Sequence, residues 1–186
     1  MNEFSTYEYA VKQRIEGKWL VARIGLIFLY IAAGLSLLIS GFVLKIILPL
    51  LALAPIAICL LIFVTWRYVS VEYEYSITSG ILTFTKIFGG RSRKRVLEVT
   101  LKDAVRIAPL DNGEETAKAA VWHPEREFSA ISTLRAPDIY FMLFEVEDRR
   151  NREKRRAVFY FEATARALQI IRFYNPSGTQ AVRTHK

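Results

Sequence analysis

Residues 24–66 form a 43-residue stretch with a single charged side chain, Lys45. The other 143 residues hold the remaining 43 charges. The mean hydropathy of +0.20 therefore averages two unlike populations. Residues 24–44 and 46–66 are two uncharged runs. At about 1.5 Å per residue each spans roughly 31 Å, close to a bilayer's hydrocarbon core of about 30 Å. A single helix of 43 residues would reach about 65 Å and place Lys45 at the centre, at a cost of about 2.5–3.5 kcal/mol. A two-helix hairpin that turns at Lys45 avoids that cost. A buried helical pair in a soluble core is the weaker alternative. The composition also excludes intrinsic disorder and disulfide-scaffold classes.

The flanks fix the expected orientation. Lys12, Arg14, Lys18 and Arg23 precede the first run and Arg67 follows the second, whereas the turn offers Lys45 alone. By the positive-inside bias both termini belong on the cytoplasmic side of a two-pass integral protein of the cell membrane. Trp19, Trp66, Arg67 and Tyr68 fall where the headgroup level would be. A cleavable signal peptide is not expected, because the apolar run is too long and 23 residues precede it. Pro49 and Pro55 should distort the second helix. Gly34, Gly41, Ser36 and Ser40 offer small surfaces for helix contact. No Asp, Glu, His or Arg lies in the spans, so no ion relay is visible. Tyr30 reads as a packing residue. Cys59 is the only cysteine, which rules out an intrachain disulfide.

In residues 1–23, Phe4, Tyr7, Val11, Ile15 and Trp19 recur at helical spacing, and Ser5 with Glu8 fits a capping box. This predicts an amphipathic helix along the inner membrane surface. An extension of the first span packed on the following domain is the alternative.

After the second run the period changes to two. Val69, Val71, Tyr73, Tyr75 and Ile77 alternate with polar residues, Thr78-Ser79-Gly80 marks a turn, and residues 81–88 return. Gly89-Gly90 turns into a third strand over 91–101, with a short fourth at 104–108. Residues 111–128 read as a polar loop, 129–134 as a weak strand, and 139–146 and 156–161 as strands around a charged turn, 148–153. Thr164 caps a last helix whose face is Ala167, Leu168, Ile171 and Tyr174, and Asn175-Pro176 ends it. The expected fold is a membrane α-helical hairpin (24–66) plus an α+β domain (67–174) with a loose tail (175–186). The domain would be an antiparallel barrel or sandwich of about seven meander-connected strands, with the helix covering an open end.

Tyr75, Thr78, Gly80, Leu82, the basic run Arg91–Arg95 and Asp103-Ala104-Val105 resemble the opening of the bacterial pleckstrin-homology-like domains. Over residues 10–176 the chain is similar to an uncharacterised family of small bacterial membrane proteins with a helical hairpin, this PH-like domain and an ending like Arg172–Pro176. The resemblance implies architecture and is silent on a reaction.

Lys86, Gly89, Gly90, Arg91, Arg93, Lys94 and Arg95 form the candidate site for an anionic headgroup. Glycines let backbone N–H groups approach an anion, and arginine forks match phosphate. Each basic residue near an anionic leaflet contributes about 1 kcal/mol. The competing reading is a solvated strand whose charges discourage edge pairing. If Leu97, Val99 and Leu101 face the core, Arg91, Arg93 and Arg95 share their parity and must lie at the rim. The second basic run, 149–156, reads as a hairpin tip. It lacks the exposed aromatics that nucleic acid binding needs. His123, Glu125 and Glu127 are too few for a metal site, and Glu72 with Glu74 reads as a solvated face. No nucleotide-loop, Rossmann, nucleophile-elbow or zinc-protease string occurs. The expectation is a non-enzymatic, membrane-anchored binding or adaptor module without catalytic residues, cofactor or metal. It would contact anionic lipid, an unknown protein partner, or both. A structural subunit of a membrane complex or a homo-oligomer is the alternative.

Overall fold

The computed structural model describes residues 6–133, 135–147 and 153–180. The chain divides into two compact units. One comprises residues through Gln13, Glu72–Ile87 and the chain from Arg93 onward; the other comprises Arg14–Val71 and Phe88–Ser92.

The second unit is built on helices α1 (Lys18–Val43) and α2 (Ile47–Thr65). Both are long and apolar enough to cross a membrane, and only 6% of the most apolar window of each is buried. Buried core helices would be covered by protein; here Leu48, Phe42 and Phe28 are among many large side chains left open. The turn lies where the sequence places it. Lys45 takes a positive φ of 59°, and the Ile46 N–H donates to Gly41 O at 3.1 Å. Gly34 faces Ile58 and Gly41 faces Leu50, so these glycines do bring the helices together. Ser36 and Ser40 instead bond carbonyls of their own helix. Pro49 falls in the first turn of α2, where no intrahelical N–H is lost, and only Pro55 interrupts the ladder. Across the pair the Tyr30 hydroxyl donates to Thr65 Oγ1 at 2.6 Å, while Thr65 donates to Leu61 O.

The other unit holds two four-stranded sheets. The first has the order β1-β2-β3-β4: β1 (Thr6–Lys12), β2 (Val71–Thr78), β3 (Ile81–Phe88) and β4 (Ser92–Thr100). The expected interfacial helix is thus replaced by a strand. Tyr7, Tyr9 and Val11 alternate inward, and β1 pairs antiparallel with β2 from Thr6 opposite Thr78 to Lys12 opposite Glu72. Tyr7 and Val11 satisfy both periods in so short a segment. β-branched and aromatic side chains with an open neighbouring strand decide the outcome. Phe4 and Ser5 lie outside the described residues. Consequently the domain does not start at residue 67, because its first strand precedes the helical hairpin.

The second sheet has the order β5-β7-β8-β6: β5 (Arg106–Pro109), β6 (Arg126–Ala130), β7 (Ile139–Glu147) and β8 (Lys154–Glu162). Strands β7 and β8 pair antiparallel, but β6 runs parallel to β8, so the meander expectation fails at that point. The sheets do not close into a barrel. They meet through aromatic rings, with Phe84 and Phe159 centroids 5.1 Å apart and Tyr75 edge-on to Phe161 at 5.6 Å. Helix α4 (Ala165–Tyr174) buries Ala167, Leu168, Ile170 and Ile171, and Thr164 caps it by accepting from the Ala167 N–H. The Tyr7 hydroxyl bonds the Thr164 hydroxyl, tying β1 to that cap.

A helix, α3 (Gly113–Val121), occupies part of the expected loop. It covers the other face of the second sheet, where Ala119 and Trp122 pack on Ala108, Phe141, Leu143 and Val158. Six successive residues of β7 are therefore buried. The charged turn at 148–152, Leu134 and residues 181–186 lie outside the described residues. The expected loose tail is ordered in part, since Thr179 bridges to Ile107 of β5.

Candidate functional site

The basic string of the β3–β4 turn is divided between the two units. Gly89 and Gly90 adopt φ of 59° and 70°, the left-handed region that glycine enters without penalty. In the helical unit the Gly89 N–H donates to Ser70 O at 2.7 Å. A Cβ at Gly89 would lie 2.9 Å from the Arg67 Cβ, so only glycine lets this turn settle there. Arg91 then places its guanidinium 4.7 Å from the Phe63 ring centre. Cation–π contacts of this kind are worth about 0.5–1 kcal/mol when exposed.

The same end of the hairpin carries the expected interface residues. Arg23 of α1 donates twice to Val69 O, at 3.0 and 3.2 Å, and lies 5.7 Å from the Trp66 ring centre. Arg67 donates to the Tyr68 hydroxyl at 2.7 Å. Trp66, Arg67 and Tyr68 form a 3-10 turn that ends α2, and Trp19 is the second residue of α1. Arg23, which the sequence assigned only to charge bias, proves to tie the two ends of the hairpin together.

The remaining basic residues belong to the sheet unit. Arg93 faces Glu74 at 3.3 Å and Arg95 faces Glu98 at 2.6 Å. Exposed pairs like these add about 0–1 kcal/mol of stability, but they reduce the charge offered to an anion. Lys94 is exposed, and Lys86 lies near the Tyr73 and Phe84 rings. Residues 92–95 are all exposed and burial begins at Leu97, so the arginines do occupy the rim. Among the described residues, neither Arg67 nor Arg91 has a carboxylate within ion-pair distance.

Elsewhere several of the candidate polar side chains have structural partners. Glu72 pairs with Lys12 and Glu125 with Arg155. No group of three or more His, Cys, Asp or Glu residues is arranged to hold a metal among the described residues. Arg156 of the second basic run donates to Trp122 O and lies over its ring. One charged cluster escaped the sequence reading. Glu115, 3% exposed, accepts both arms of Arg106 at 2.8 Å and Lys118 at 2.7 Å. Hydrogen bonds from Arg106 and Lys118 hold its carboxyl at about 2. The signal was present: Asn112 caps the helix and two glutamates follow in the first turn. Burial and the neighbouring Tyr7 and Tyr9 raise the Tyr75 hydroxyl far above the ordinary phenol range, in keeping with a core donor to Glu162 O.

Comparison with known proteins agrees with this architecture. A family model described as a bacterial PH-like domain (DUF6106) matches residues 3–180. Neither the curated proteins nor the solved structures give a match. The family match spans β1, both long helices and the two-sheet domain with its closing helix, and by it the chain belongs to the bacterial PH-like domain family.

Proposed function

We propose that the protein is a non-enzymatic binding module, anchored in the cell membrane by α1 and α2, with its PH-like domain on the cytoplasmic face. The observation that carries this reading is the almost uncovered apolar surface of the two helices, with Arg23, Trp66, Arg67, Tyr68 and Arg91 collected at one end. Lipid covers such a surface without an ordered partner, and rings and guanidinium groups suit the headgroup level.

Strand pairing supports a two-pass topology independently of charge. Lys12 and Glu72 are opposed across one ladder, so their Cα atoms lie within about 5.5 Å. The chain thus leaves and re-enters the sheet at one place, and a single crossing between those residues would separate paired strands. Lys45 then faces the opposite side of the bilayer. The domain contacts anionic lipid through the basic end of the hairpin and engages a protein partner or another copy through its remaining surface.

The test is fractionation of the full chain followed by labelling. The protein should stay in the membrane pellet after an alkaline carbonate wash. In a Cys59→Ser background, a Lys45→Cys variant should react with an impermeant maleimide only from outside the cell. Recovery in the supernatant without detergent, or labelling of position 45 from the cytoplasmic side, would refute the reading.

A further inference from the structure

Pro55, Ile56, Cys59, Leu60 and Phe63 line an open groove of about 510 Å³ on α2. That size falls within the roughly 300–1,000 Å³ of ligand sites. Its lining is almost wholly apolar. Pro55, Cys59, Phe63 and Arg67 follow one another at intervals of four, so they form one stripe along the helix. From Pro55 to Arg67 the stripe is about 18 Å long, close to the roughly 15 Å of one hydrocarbon leaflet. Phe63 closes the groove at the end where Arg91 lies over its ring and Arg67 supports the Gly89 turn.

Resting on the membrane reading above, we infer that this groove holds one acyl chain of an anionic phospholipid whose phosphate is bound by Arg67 and Arg91. Charge complementarity selects this occupant. An apolar face alone would accept any lipid or a second helix, but here Arg91 lies over the ring that closes the groove and Arg67, whose guanidinium donates to the Tyr68 hydroxyl, follows one turn beyond it; among the described residues neither has a carboxylate partner. Guanidinium forks match phosphate oxygens in charge and geometry. The neighbouring Arg93 and Arg95 are committed to Glu74 and Glu98, so the selectivity falls on Arg67 and Arg91 and not on the whole basic run.

Cys59 provides the readout, because a chain lying in the groove shields its thiol. Purified full-length protein in detergent is titrated with phosphatidylglycerol or phosphatidylcholine, and N-ethylmaleimide modification is followed by intact mass. Phosphatidylglycerol should protect Cys59 at about five- to thirty-fold lower concentration, the factor expected from one or two basic side chains beside an anionic headgroup. Native mass spectrometry should retain one phosphatidylglycerol per chain. Arg67→Gln with Arg91→Gln should erase the difference, whereas Arg93→Gln should preserve it. Equal protection by both lipids would overturn the inference. Efficient Cys59–Cys59 crosslinking under copper-catalysed oxidation would also overturn it, in favour of a second copy on the groove. Either result, obtained on protein that resisted carbonate extraction, leaves membrane anchoring intact, whereas recovery without detergent refutes the anchoring itself.

Discussion

Asn175 should be the most sensitive polar position in the domain. It is 6% exposed and follows the last residue of α4. Its amide nitrogen donates to Leu101 O at 2.9 Å and Ala104 O at 2.7 Å, and its Oδ1 accepts from the Gly178 N–H at 2.8 Å. Two acceptors on one side and one donor on the other fix the orientation of the amide. Asn175→Ala removes all three bonds. The Leu101 carbonyl keeps the Ala104 N–H at 3.3 Å, so two backbone groups bear most of the loss. Each buried group left unpaired costs about 1–3 kcal/mol, which gives about 3–5 kcal/mol with the lost side-chain packing. For a domain of this size that lowers the melting midpoint by about 12–20 °C. Asn175→Asp keeps the volume but points a carboxylate at two carbonyl oxygens, so it should be at least as damaging. The assay is thermal unfolding of the full chain in detergent, read by near-ultraviolet circular dichroism. A shift of less than about 3 °C for the aspartate variant would show that the donor network does not hold this corner.

Three other outcomes follow from the geometry. Gly80→Ala meets the Tyr174 ring at 2.7 Å from a residue at φ +82°, so it should destabilise by about 2–4 kcal/mol, and Tyr174→Ala should relieve part of this in a double-mutant cycle. The Glu115 carboxyl is lowered from 4.5 to about 2, so its stabilisation is fully present above the higher value and is lost as pH falls toward the lower; Glu115→Gln should flatten the acid limb of a melting-midpoint profile between those values. Replacing residues 14–70 with Asn-Gly should yield a soluble, cooperatively folding domain, because Gln13 and Val71 continue the ladder that ends at Lys12 and Glu72; aggregation checked by size-exclusion chromatography would show that the domain requires the helices.

What the sequence disclosed follows from which interactions are local. The helical hairpin is legible because solvation acts on each residue in turn, and one lysine suffices to place the turn. Strands β2 and β3 are legible from alternation and the Ser79-Gly80 turn, and α4 from Thr164 and its apolar face. The parity of Leu97, Val99 and Leu101 also puts the arginines of β4 at the rim correctly. Segments with two admissible periods are a different matter. Tyr7 and Val11 fit a helix or a strand until β2 is present beside them. The parallel course of β6 depends on a partner about thirty residues away. The division of the basic run is likewise non-local: Glu74 and Glu98 claim Arg93 and Arg95, while Arg91 reaches Phe63. Asn175 stood within the family-like ending Arg172–Pro176, but its importance is visible only once Leu101, Ala104 and Gly178 surround it.

Insertion of the hairpin between β1 and β2 poses an entropic problem that the Arg23 clamp answers. Adjacent antiparallel strands are normally joined by a few residues, yet here the connection runs from Gln13 to Val71. Closing a flexible loop scales as the logarithm of its length, so a connection of this size would cost about 2–3 kcal/mol more than a short turn. The connection is not flexible, however. Helices α1 and α2 pack along their lengths through Gly34 and Gly41, and Tyr30 bonds Thr65 near the base. At the open end Arg23 grips Val69 O, which ties the segment leaving β1 to the segment entering β2. The helical pair therefore works as one stiff turn whose ends are held together. Most of the closure entropy is lost on packing the two helices, and the ladder from Thr6 to Lys12 gains its pairing at little further cost. On this argument the helices serve the PH-like domain as the turn that completes its first sheet, in addition to the anchoring role proposed for them.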